Sequence, residues 1–113
     1  MGNNRASERY AKSLLMLSID EKITEEIKGD IDLIIDSFSK SREISSLYLS
    51  PIIPIKHKIS ITKKIFTGKI HNHTLNLLLN LIIRKRDSLI EAILSKFNEL
   101  YNAYMNIEES SIT

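Results

Sequence analysis

Residues 74–86 constrain this chain more than any other stretch. Leu75, Leu77, Leu78, Leu79, Leu81, Ile82 and Ile83 are broken only by Asn76 and Asn80. Wound as an α-helix, this run carries apolar side chains round most of its circumference, whereas a surface helix needs a stripe only about 100° wide. Such a helix has to be covered on two sides. It lies at the centre of a bundle, or it buries one side in the core and offers the other to a partner. The run is too short to cross a bilayer, which takes roughly 20 apolar residues. It closes on Arg84, Lys85 and Arg86, cations that suit the carbonyl end of a helix dipole.

The rest of the chain reads as further helices around this one. Ser7 is an expected N-cap for a first helix, in which Tyr10, Ala11, Leu14, Leu15, Leu17 and Ser18 recur at helical spacing. Ser13 and Met16 flank that stripe, so this helix also has a broad apolar or small-residue surface. Asp20 can cap a second helix with Ile23, Ile27, Ile31, Ile34, Ile35 and Phe38 inward and Glu25, Glu26, Asp30, Asp32 and Asp36 as an acidic outer face. Ser41 opens a third helix, which must stop before Pro51 because the residue ahead of a proline is pushed out of the helical region. Pro54 suits the first turn of a fourth helix, where its missing N–H costs nothing. Ile55, Ile59, Ile61, Ile65 and Phe66 are its expected buried set, and Gly68 fits a left-handed residue after its end. After a connector at 69–73 comes the central helix. Asp87 or Ser88 then starts the last one, striped by Leu89, Ile90, Ile93, Leu94, Phe97, Leu100, Tyr101 and Tyr104. Beyond Asn106 the apolar pattern fades. The expected fold is all-α, a compact six-helix bundle over residues 1–106, with 107–113 a frayed end or the start of a linker.

Composition narrows the chemistry. The 113 residues include no cysteine, so disulfides, thiolate metal sites and a cysteine nucleophile are excluded. A net charge of +2 gives little drive toward the many phosphate contacts of nucleic-acid binding. The first residues are polar and lack the apolar core of a secretory signal. Met1-Gly2 suggests lipidation, but Ala6 stands where the motif needs Ser or Thr. His71 and His73, two apart in a connector, and His57 between two lysines read as surface residues; the carboxylates of the second helix read as a solvated face. No catalytic set, metal site or cofactor is expected. Lys56, Lys58, Lys63, Lys64, Lys69, Arg84, Lys85 and Arg86 bias the middle of the chain positive, and a small helical nucleic-acid-binding domain is the alternative reading. The residues themselves suggest a helical interaction module. If the first and fifth helices lie side by side, their outer edges form a groove for an amphipathic partner helix. Core packing alone accounts equally well for their surplus apolar surface.

The order of residues resembles a known family. Arg9-Tyr10-Ala11-Lys12-Ser13-Leu14-Leu15 is similar to the opening of the delta subunit of F-type ATP synthases, the oligomycin-sensitivity-conferring protein of mitochondria. Matches follow in the family's order at Leu49-Ser50-Pro51-Ile52-Ile53, Lys63-Lys64-Ile65-Phe66, Leu75-Asn76-Leu77-Leu78, Ile82-Ile83-Arg84-Lys85-Arg86 and Ile93-Leu94-Ser95-Lys96-Phe97-Asn98-Glu99-Leu100-Tyr101. The resemblance implies a non-catalytic stator subunit on the cytoplasmic face of the bacterial inner membrane, linking the catalytic head to the peripheral stalk. It implies that the N-terminal helix of an alpha subunit lies in a groove of the first and fifth helices. Carried over by position, that groove includes Tyr10, Ser13, Leu14, Leu17, Leu78, Leu81 and Ile82. Ser13 departs from the family's usual Ala. The family also continues into a second domain that meets the stalk's b subunit, so the sequence reads as an excised N-terminal domain or a shortened protein.

Overall fold

The computed structural model describes residues 3–112, with side chains described over 5–107, so the Met1-Gly2 lipidation reading lies outside the described residues. Six α-helices follow in order: α1 Asn3–Asp20, α2 Thr24–Lys40, α3 Arg42–Leu49, α4 Ile55–Phe66, α5 Asn72–Ile83 and, after a 3-10 turn at Asp87–Leu89, α6 Ile90–Ile112. The all-α six-helix expectation is met. α1 lies along α6, and α2 packs on both; α5 packs on α4, α2 and the 3-10 turn. Ala11, Leu14, Ile27, Ile31, Ile34, Phe66, Leu81, Ile82, Ile90, Ile93 and Phe97 are among the side chains that fill the centre. α6 remains helical past Asn106, where its apolar pattern stops, because helix propagation needs only local hydrogen bonds.

Helix ends show where short-range sequence signals compete with backbone geometry. Ser41 caps α3 as expected, its hydroxyl accepting from the Ile44 N–H at 3.3 Å. Ser7 is no cap: it lies within α1, buried, and its hydroxyl has no partner among the described residues. Asp20 ends α1 instead of starting α2, whose N-cap is Ile23. The cause is a Schellman turn after α1, in which Ile23 N–H reaches the Ser18 carbonyl at 2.8 Å and Lys22 N–H the Ile19 carbonyl at 3.1 Å. α5 ends the same way. Arg86 N–H reaches Leu81 at 2.7 Å and Lys85 N–H reaches Ile82 at 3.0 Å, so the helix stops at Ile83, short of the three cations. Both turns place a lysine where glycine is favoured, with φ of 60° at Lys22 and 61° at Lys85. Gly68, at φ 82°, closes a turn after α4 in which Lys69 N–H bonds the Phe66 carbonyl at 2.9 Å.

Two buried polar clusters correct the reading of faces. Asp30, expected on the acidic outer face of α2, is buried and accepts from the His71 N–H and the Thr74 hydroxyl, both at 2.8 Å. Its carboxylate thereby sits at the start of α5, where the helix dipole favours negative charge. On α4 the buried set is Lys58, Thr62 and Phe66; Ile55, Ile59, Ile61 and Ile65 are only partly covered. Lys58 Nζ donates to Asp87 Oδ2 at 2.6 Å and to the Ser50 carbonyl at 2.7 Å. It joins α4 to the loop after α3 and to the 3-10 turn. Tyr48 bonds Thr62 at 2.8 Å and stacks on Phe38 with centroids 5.4 Å apart. Burial raises the Tyr48 phenol's pKa; the Thr62 hydrogen bond lowers it and the Asp87 charge raises it, for a net rise.

Candidate docking groove

α1 and α5 run in opposite directions on either side of a cleft, tied near each end of their overlap by polar contacts. About midway along α1, Arg86 donates to the Tyr10 hydroxyl at 3.1 Å. Near its end, Glu21 meets His73 Nε2 at 3.0 Å. Between these ties lies an open cleft of about 250 Å³, lined by Tyr10, Ser13, Leu14 and Leu17 from α1 and by His73, Asn76, Leu77 and Asn80 from α5. The shape is a trench that suits side chains of a helix better than an enclosed cofactor. A second shallow hollow continues it over the outer face of α1 through Ser13 and Leu17, with Arg9, Lys12, Met16 and Asp20 added. Met16 is 54% exposed there.

The α1 residues expected in a groove, Tyr10, Ser13, Leu14 and Leu17, do come together along one wall. The α5 residues do not. Leu78, Leu81 and Ile82 are no more than 2% exposed and belong to the central core. The wall is instead formed by positions 73, 76, 77 and 80, a helical i, i+3, i+4, i+7 set. At 3.6 residues per turn this face lies roughly 140° round the axis from that of 78, 81 and 82. The two asparagines were the available signal, since polar residues interrupting an all-apolar helix mark its wetter side. The same rotation means that an acidic residue at Leu78 or Ile82 would disrupt the core rather than the groove.

Charge around the trench is ordered. Tyr10 is desolvated, which raises its phenol's pKa, but hydrogen bonding to Arg86 and Arg84, with their charges, outweighs this and holds it below the ordinary value. At the opposite end His71 accepts from the His73 N–H through Nδ1 at 3.1 Å, and the two imidazoles stack with centroids 4.9 Å apart. His71 is thus a helix cap, and His73 belongs to the groove rim. Among the described residues no cluster of three or more His, Cys, Asp or Glu side chains is placed to hold a metal ion, and no helix is long and apolar enough to cross a membrane. The basic run of the middle of the chain is also thinner than its sequence suggests, because Lys58 is buried and paired with Asp87.

The fold is an all-α bundle with an open trench between α1 and α5. Comparison with known proteins makes the class specific: the family model for the ATP synthase delta (OSCP) subunit matches residues 6–113. The chain belongs to that family, whose members are structural, non-catalytic subunits of the synthase. Among its relatives, ATP synthase subunit delta of Amoebophilus asiaticus is 35% identical over 112 residues, covering 98% of this chain and 60% of that one. The Cytophaga hutchinsonii subunit is 28% identical over 113 residues, covering 100% of this chain and 62% of its own length. The chloroplastic subunit of Gracilaria tenuistipitata is 30% identical over 91 residues, covering 80% of this chain and 49% of the relative. The chain therefore spans about half to three fifths of the relatives it matches.

Proposed function

We propose that this chain is the helical N-terminal part of a stator subunit of an F-type ATP synthase, and that its α1–α5 groove holds the N-terminal helix of an alpha subunit. The observation that carries the reading is the open trench between Tyr10, Ser13, Leu14 and Leu17 on one side and Leu77, with its polar flanks, on the other. A helix laid there would bury its apolar stripe against Leu17 and Leu77. Tyr10 would supply a large, semi-rigid contact with its hydroxyl fixed at the rim by Arg86. The stator works by holding the head against rotation, so what the site must provide is a long-lived contact rather than chemistry. The length that the relatives have beyond this match would carry a C-terminal domain and its contact with the b subunit of the peripheral stalk. The complex so formed would lie peripherally at the cytoplasmic face of a bacterial inner membrane.

Calorimetric titration with a peptide covering the N-terminal helix of the cognate alpha subunit tests this. One-to-one binding that falls at least about tenfold in Leu77→Asp, with the helical signal of the variant intact, is expected, since one buried apolar anchor is worth about 2 kcal/mol. Undiminished binding by that variant would remove the groove as the site.

A further inference from the structure

The outer flank of the groove on α1 is polarised along its length. On the α1 face Arg9 and Lys12 come first, then Ser13, Met16 and Leu17, then Asp20. α5 runs the other way: just past its end Arg84 and Arg86 bear on Tyr10, about midway along α1, while at its start His73 meets Glu21 beside Asp20. One end of the trench is therefore basic and the other acidic, with the apolar strip between. Arg9 to Asp20 spans about 16 Å at 1.5 Å per residue, three turns of a helix lying alongside. Among the described residues Arg9, Lys12, Arg84 and Asp20 form no salt bridge, so their charges are available to an incoming chain.

Resting on the docking reading above, we infer that the groove fixes the direction of its partner: it takes an amphipathic helix whose first turn is acidic and whose last turn is basic, running parallel to α1 and antiparallel to α5. An isolated helix is itself most stable with acidic residues in its first turn and basic residues in its last. Such a helix matches the trench only when its N-terminal end lies over Arg84, Arg86 and Tyr10 and its C-terminal end over Asp20 and Glu21. Laid the other way, it sets acid against acid and base against base. Like-charge juxtaposition at a rim acts mainly on choice of partner and orientation.

The test uses the full chain and two peptides with the same apolar stripe, both locked helical by a cross-link on their outer face. One has Glu in its first turn and Lys in its last; the other has these exchanged. At low salt the first binds about tenfold more tightly, and the ratio shrinks as salt is raised. A nitroxide on its N-terminus broadens the NMR signals of Tyr10 and Arg86 and spares those of Glu21 and His73. Equal affinities, or broadening at Glu21 and His73, overturn the direction while leaving the groove in place. Failure of both peptides to bind overturns the docking reading and this inference with it.

Discussion

The Lys58–Asp87 pair offers the sharpest test of how the bundle is held together. Its side chains are 7% and 8% exposed, and Nζ and Oδ2 lie 2.6 Å apart. Lys58 also holds the Ser50 carbonyl at 2.7 Å. Lys58→Met keeps the aliphatic stem but strands a buried carboxylate and a carbonyl. Breaking such a pair costs about 3–5 kcal/mol, a large part of the 5–15 kcal/mol that stabilises an ordinary domain. Asp87→Asn strands the ammonium in turn, at similar cost. With both changes neither charge remains, so the double variant should be more stable than the sum of the single losses by about 1–3 kcal/mol. Urea unfolding followed by far-UV circular dichroism, with m-values held in common, measures all three. Single losses below about 1 kcal/mol, or losses that add to within about 0.5 kcal/mol, would refute the pair as a buried, coupled tie.

Other parts of the fold make their own predictions. Lys22→Gly and Lys85→Gly relieve left-handed backbone at the two Schellman turns and should each stabilise by about 0.5–1 kcal/mol in the same unfolding assay. Asp30→Ala removes the acceptor for the His71 N–H and the Thr74 hydroxyl; a loss of about 2–4 kcal/mol is expected, with faster amide exchange in the first turn of α5. Arg86→Gln should raise the Tyr10 pKa, because burial opposes ionisation and the hydrogen bond and charge of Arg86 favour it. A pH titration of the Tyr10 ring carbon by NMR reads this directly, and a fall in pKa would contradict the assigned cause.

Periodicity carried most of the fold. The α6 stripe and the stop at Gly68 were legible because each depends on neighbours a few residues away. What was not legible depends on distant partners. Asp30 looked like part of a solvated acidic face until α5 brought His71 and Thr74 to it. Lys58 looked like one of a basic run until the 3-10 turn supplied Asp87. The start of α2 and the end of α5 were misplaced because a lysine in left-handed conformation leaves no mark of the kind glycine does. For the groove, the α1 residues carried over from the family resemblance do line one side of the cleft. The α5 wall was misassigned because a helix apolar nearly all round gives little phase information. Only Asn76 and Asn80 distinguished the groove side from the core side occupied by Leu78, Leu81 and Ile82.

The central claim is that an alpha-subunit helix lies between α1 and α5. Mapping amide and methyl chemical shifts of the isotope-labelled chain, as the alpha N-terminal peptide is added to saturation, tests it most directly. A helix seated in the groove gives saturable changes concentrated on Tyr10, Ser13, Leu17, His73, Asn76 and Leu77, with the α2–α3 side of the bundle undisturbed. Saturable changes concentrated on that other side, or no saturable change in a folded chain, would contradict it.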